Sequence, residues 1–269
     1  MSESSPRKVV LVTRPVDQAE ELETLLHARN FATMRQPAIE IRPSREPERL
    51  DAALRSLALK EYDWLVFSSA NGARVAMERL AELFARPLDA CGEALREWGV
   101  KVAVVGSGTA KALRSYGIPS PDATPEVFDA EHLVATFDAI VSDFASTRFL
   151  SFRASRGRQI LSEELTKRGA KYAEVEAYHS ADVEKAAPDV LEALKNGKID
   201  AVTATSSATV RSLLRLFGDA SKNARWIALS PLTGSALEKE GIRPAGIARE
   251  ATMTSLADCV AKVLSGAQD

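Results

Sequence analysis

Apolar positions along this chain fall into two alternating rhythms. Short unbroken runs such as "KVVLVTR" and "WLVF" suit strands buried on both faces of a sheet, whereas Gln18 to Arg29, with Leu22, Leu25 and Leu26, repeats at helical spacing. The same reading predicts strands at "PAIEIRP" and "VKVAVV". It predicts helices over Pro47 to Ala58, Asn71 to Phe84 and Thr109 to Tyr116, the first with a proline near its start, where the missing N–H costs nothing. The proline-rich "GIPSPDATP" reads as a loop before a helix over Ala130 to Phe137. Strands alternating with helices predict parallel sheets covered on both faces.

The second half restates the first. "YDWLVFSSANGARV" and "IDAVTATSSATVRSLL" each run from a lone aspartate through an apolar stretch to a serine pair and an amphipathic helix. "VVLVTRPVDQAEELETLL" echoes as "RFLSFRASRGRQILSEEL", setting Arg14 against Arg153. "KVAVVGSGTAKALRSYGI" echoes as "RWIALSPLTGSALEKEGI", setting Thr109 against Thr233 and Gly117 against Gly241. Such repetition predicts two similar α/β units of about five parallel strands, facing one another across a cleft, with ligands at the carboxyl ends of the strands.

Length and composition narrow the chemistry. The 269 residues allow one large or two medium domains, and 45% hydrophobic with 27% charged residues at a formal charge of −2 leave no global basic field for nucleic acid or a membrane surface. The opening "MSESSPRKVV" lacks a leader's apolar run and no segment reaches the length of a membrane span, so a cytoplasmic setting is expected. Cys91 and Cys259 are isolated thiols suited to packing. His27, His132 and His179 show no metal-ligand spacing, and no metal site is expected.

Four junctions, "SSANG", "GSGTA", "TSSAT" and "SPLTG", place hydroxyls where a strand hands over to a helix. A helix start carries N–H groups without intrahelical partners and a positive dipole end, so it attracts carboxylate or phosphate. Ser68, Ser69, Asn71, Ser107, Thr109, Ser206, Ser207, Ser230 and Thr233 are therefore candidate caps or anion donors, expected as four caps in register. "SFRASRGRQ" adds Arg153, Arg156 and Arg158, whose guanidinium forks match carboxylates. Gly106-Ser107-Gly108 begins like a dinucleotide fingerprint but lacks the third glycine and the following acidic residue, and no phosphate-binding G-x-x-x-x-G-K-[ST] loop occurs. A nucleotide-using enzyme is disfavoured.

Taken in order, "VTRPVDQAEELETLL", "DWLVFSSANGARV", "VAVVGSGTAKAL", "RGRQILSEELTKRGAKYAEVEAYHS", "TATSSATVRSLL" and "REATMTSLADCV" resemble uroporphyrinogen-III synthase over nearly the whole chain. The sequence departs from the family in placing Ser230-Pro231 where a Gly-Pro turn is usual. The resemblance implies two flavodoxin-like domains from an internal duplication: residues 1–37 with 180–269, and 44–172, joined by connector strands 38–43 and 173–179. Periodicity alone fits contiguous halves split near Arg148 equally well.

The implied substrate is hydroxymethylbilane, a linear tetrapyrrole with eight carboxylates, cyclised with inversion of its last ring and loss of water. No cofactor is implied. The resemblance further suggests a monomer taking its substrate by hand-over from hydroxymethylbilane synthase. Unassisted closure gives the uninverted type I ring, so the implied task is to fold the chain for attack at the substituted carbon. Tyr178 in "EVEAYHS" matches the family's connector tyrosine and is the candidate acid for the departing hydroxyl. A phenol with an ordinary pKa of about 10 keeps its proton at neutral pH. The competing reading is a non-catalytic two-domain module that binds a carboxylated or tetrapyrrole ligand with the same donor rim.

Overall fold

The computed structural model describes residues 7–266; the start of the chain, read above as carrying no apolar leader, falls in residues 1–6, outside them. The chain opens with β1 (Val9–Val12), α1 (Val16–His27) and β2 (Ala32–Arg35), then continues through β3 (Ile39–Pro43) and α2 (Pro47–Ala58). Next come β4 (Trp64–Phe67), α3 (Ala70–Leu83), α4 (Cys91–Glu97), β5 (Lys101–Val104), α5 (Ser107–Leu113) and α6 (Ala130–Ile140). They are followed by β6 (Arg148–Ala154), α7 (Ile160–Lys167) and β7 (Lys171–Asp182). The remainder is α8 (Pro188–Lys195), β8 (Ala201–Ala204), α9 (Ser207–Phe217), β9 (Arg225–Ala228), α10 (Pro231–Lys239), β10 (Gly246–Ile247) and α11 (Met253–Ser265).

Residues up to Glu40 pack with those from Ala181 onward, and Ile41–Ser180 form a second unit. The first unit holds a five-stranded sheet in the order β10-β9-β8-β1-β2, which by position in the chain is the 2-1-3-4-5 order of a doubly wound sheet. Helices α1 and α11 cover one face around Val10, Val12 and Leu256, while α8, α9 and α10 cover the other around Leu11, Leu213 and Trp226.

The second unit's sheet runs β3-β7-β6-β4-β5. Its β7-β6-β4-β5 part repeats the 2-1-3-4 order if β6 counts as first, and Ala123 bridges Ala103 in parallel beyond β5. The stretches 38–43 and 173–179, expected as connector strands, correspond to β3 and to part of β7, which are hydrogen-bonded neighbours within this sheet. In β4 every residue is buried: Leu65 and Phe67 face α2, α3 and α4, and Trp64 and Val66 face α6 and α7. Burial on both sides explains why "WLVF" reads as an unbroken apolar run.

The lone aspartates before the matched strands do the same work in both units. Asp63 accepts the N–H of Arg148 at 2.8 Å and Asp200 accepts the N–H of Val9 at 2.7 Å, each tying the start of the third strand to the first. Their own carbonyls accept from Lys101 at 2.9 Å and Arg225 at 3.1 Å on the fourth strand. These brackets lie at the amino ends of the strands and leave the carboxyl ends for chemistry.

Two elements differ from the sequence reading. β2 is a half-buried edge strand whose "ATMR" carries no clear alternation, and α4 is a seven-residue helix after a short 3-10 turn at Leu88–Ala90. Both are held by neighbours more than by their own pattern.

Candidate active site

In a regular strand, alternate residues face opposite sides of the sheet. Along β7, Ala173, Val175 and Ala177 pack on the α2–α4 face while Tyr172 packs on the α6–α7 face, so strict alternation would put Tyr178 beside Tyr172. The pairing to β6 prevents this: Arg153 pairs with Glu176, but the next residue, Ala154, pairs with Tyr178. Ala177 is therefore an extra residue, a β-bulge, and it turns Tyr178 onto the same face as Ala177. The Ser155 N–H fixes the turned segment through the Tyr178 carbonyl at 3.0 Å.

The bulge brings the phenol, on a residue 7% exposed, to 3.3 Å from the Ser69 hydroxyl. Ser69 is the N-cap of α3 and accepts the Gly72 N–H at 3.1 Å. Gly72 permits the approach, since a Cβ there would lie 2.9 Å from the Phe152 carbonyl oxygen and 3.2 Å from the Ser69 hydroxyl. Ser68 is exposed beside them and Asn71 is half-buried in the first turn of α3. A phenol hydroxyl thus adjoins a helix start able to hold a carboxylate. Tyr172 is different: burial pushes its phenol well above the ordinary value, and its place under α6 and α7 makes it a packing group.

The first unit carries two matching serine devices. Ser206 caps α9 by accepting the Thr209 N–H at 3.1 Å, with the Thr209 hydroxyl at 3.0 Å; Ser230 caps α10 by accepting the Thr233 N–H at 3.3 Å, with the Thr233 hydroxyl at 3.1 Å. Ser207 opens α9, half-buried. Arg14 follows β1 and reaches the Gln18 side chain at 3.0 Å and the Met253 sulfur.

Three of the four expected caps form, and the fourth does not. At "GSGTA" the N-cap is Gly106, which has no side chain to offer, and Ser107 is the first helical residue. Thr109 and Thr233 are correspondingly not caps. Thr109 is buried with its N–H on the Gly106 carbonyl at 3.1 Å, and Thr233 donates its N–H to the Ser230 cap. The arginines of "SFRASRGRQ" divide: Arg153 is ion-paired with Glu174 at 2.9 Å with 14% of its side chain exposed, whereas Arg158 meets Glu131 at 2.6 Å with 45% exposed. Arg156 donates to Ser180 at 3.2 Å. Gly72 and the Ala177 bulge escaped the sequence reading; the glycine inside "SSANG" was the available signal, while a bulge leaves none.

A family model described as uroporphyrinogen-III synthase HemD matches residues 20–258. The chain belongs to the uroporphyrinogen-III synthase family. It is 32% identical over 210 residues to the uroporphyrinogen-III synthase of Synechococcus elongatus, covering 78% of this chain and 74% of that protein. To the Chlorobaculum parvum uroporphyrinogen-III synthase it is 27% identical over 243 residues, 88% and 91% of the two chains. A mutant uroporphyrinogen III synthase of Thermus thermophilus shares the fold at a TM-score of 0.63 and 18% identity, covering 97% of this chain and all of that one. The Helicobacter pylori uroporphyrinogen-III synthetase does so at 0.58 and 17%, covering 97% of this chain and all of that one.

Membership of the uroporphyrinogen-III synthase family makes the chain a cyclising lyase of tetrapyrrole biosynthesis and favours the cyclase over the non-catalytic module. The departure at Ser230-Pro231 has a physical account. Ser230 sits at φ −151°, ψ 162°, nearly the backbone of Gly106 at φ −147°, ψ 159°, an extended conformation open to any residue. Serine there supplies a cap that glycine cannot, and Pro231 occupies the first helical position.

Proposed function

We propose that this chain converts hydroxymethylbilane to uroporphyrinogen III, inverting ring D and releasing water, with Tyr178 as the acid. The carrying observation is the bulge that sets the Tyr178 phenol 3.3 Å from the Ser69 hydroxyl at the start of α3. In this reading the phenol proton passes to the hydroxymethyl oxygen as the C–O bond breaks, leaving water and an electrophilic azafulvene. The substituted α-carbon of ring D attacks it to form a spiro centre, and the older bond from that carbon to the ring C methylene then breaks. The azafulvene so formed on ring C is attacked by the unsubstituted α-carbon of ring D, whose proton returns to the phenolate as the pyrrole regains aromaticity. Substrate carboxylates are held by the starts of α3, α9 and α10, with Ser68, Asn71, Ser107, Ser207, Arg14 and Arg158 as further donors. Arg153 serves the fold through Glu174.

The units are further proposed to be flavodoxin-like products of one duplication. Support comes from the Asp63 and Asp200 brackets and from Gly117 and Gly241, which end matched helices in the left-handed region at φ 74° and 76°. The reading also includes a cytoplasmic monomer receiving substrate from hydroxymethylbilane synthase; among the described residues no helix is long and apolar enough to cross a membrane.

The test is product analysis. Purified protein given freshly generated hydroxymethylbilane, without added metal or nucleotide, should yield mainly the type III isomer on chromatography of the oxidised products. Type I product at every enzyme concentration sinks the proposal.

A further inference from the structure

The loop between α5 and α6 carries two consecutive exposed apolar side chains, Val127 at 52% and Phe128 at 43%. The loop is not loose where it begins: Ala123 bridges Ala103, and its carbonyl accepts the Val104 N–H at 3.0 Å. It then runs to the carboxyl end of the sheet, where a Cβ on Gly106 would lie 3.8 Å from the Phe128 Cβ. Phe128 is thus set over the turn after β5. Immediately beyond it, Asp129 caps α6 by accepting the His132 N–H at 2.8 Å, which fixes the direction in which Phe128 leaves the helix.

Positive charge stands one turn away. Arg158 is held at the first turn of α6 by Glu131 at 2.6 Å, with 45% and 49% of the two side chains exposed. Exposed ion pairs contribute little to stability, so Arg158 can exchange Glu131 for a carboxylate of a bound molecule at small cost. An aromatic face with an exchangeable guanidinium beside it matches a ligand that is flat and apolar in its middle and anionic at its edge. Each pyrrole of a tetrapyrrole with eight carboxylates has that form: an electron-rich ring carrying two acidic arms.

We propose that Phe128, with Val127 beside it, is a shelf for one pyrrole ring of the substrate, and that Arg158 takes a carboxylate of that ring. The inference rests on the cyclase reading and assigns it a ring-holding residue outside the serine-capped helix starts. Stacking on an aromatic side chain is sequence-tolerant and depends on ring area, so leucine retains part of the contact and alanine loses it.

The experiment measures Phe128→Ala, Phe128→Leu and Arg158→Gln, with Leu59→Ala as control. Leu59 is 71% exposed after α2, at the amino end of the strands. Steady-state KM and kcat are read for hydroxymethylbilane, and Kd for uroporphyrinogen III is read by anaerobic calorimetry, because KM equals Kd only when chemistry is slow. Phe128→Ala should raise KM and Kd about three- to tenfold with kcat within about twofold and melting unchanged, as expected for an exposed ring contact. Phe128→Leu should fall between, Arg158→Gln should weaken binding, and the control should match the wild type. KM and Kd unchanged in Phe128→Ala overturn the shelf while leaving the cyclase standing. A change in sedimentation with binding unaltered also overturns it, by making the pair a contact between copies of the chain. If the wild type makes no type III product, the proposed function fails, and the Kd comparison still decides the shelf.

Discussion

Replacing Tyr178 by Phe separates the acid from the ring that carries it. The ring lies in the cluster with Val175, Ala177 and Phe67, which phenylalanine preserves, so only the O–H is removed. Its contact with the Ser69 hydroxyl, at 3.3 Å, is long for an O–H···O bond. Ser69 keeps the Gly72 N–H, so no buried group is stranded. The stability cost should stay below about 1 kcal/mol. If the phenol protonates the departing hydroxyl, kcat should fall by about 10²-fold or less, up to roughly 2.7 kcal/mol of barrier, because water can partly replace it. The two effects are read independently, as a melting temperature and as a rate. KM should change little and the remaining product should still be type III, since inversion follows from how the carboxylates are held. An unchanged kcat reduces Tyr178 to packing, and a switch to type I makes it a residue that positions the chain.

Ser230→Ala should cost about 1 kcal/mol by removing the α10 cap, whereas Thr233→Val, which leaves the cap to the backbone N–H, should cost less; equal losses in chemical denaturation would contradict the assignment. Gly72→Ala should destabilise by about 1 to 3 kcal/mol, because the new methyl meets the Phe152 carbonyl oxygen at 2.9 Å, and unaltered melting would show that α3 can move aside. Asp63 is held below the usual carboxylate range chiefly by its hydrogen bonds from Arg148, against the opposing effect of burial. Its contribution is therefore complete above an unfolded value of about 3.9 and lost as pH falls through the lower folded value. Acid unfolding of Asp63→Asn should show a shallower loss below about pH 4 than the wild type, and parallel curves would refute the bracket's role.

What the sequence determined by itself is what short spacings encode. The "WLVF" strand and the Pro47–Ala58 helix match their apolar patterns residue for residue. Ser69, Ser206 and Ser230 form caps because a serine three residues before the donating N–H suffices. Gly117 and Gly241 end their helices in the left-handed region, which glycine alone enters without cost. The missing fourth cap was also written in the chain, since Gly106 stands where the other junctions have serine.

Tertiary structure decided what depends on residues far apart. β2 exists because β1 offers it a ladder from Val9–Ala32 to Val12–Arg35, not because "ATMR" prefers to be a strand. The facing of Tyr178 depends on how β7 registers against β6, and a single extra residue in a period of two reverses the side on which the phenol emerges. No local pattern in "EVEAYHS" records that slip. It is the strand partner, more than the tyrosine's own neighbours in sequence, that aims the phenol at Ser69.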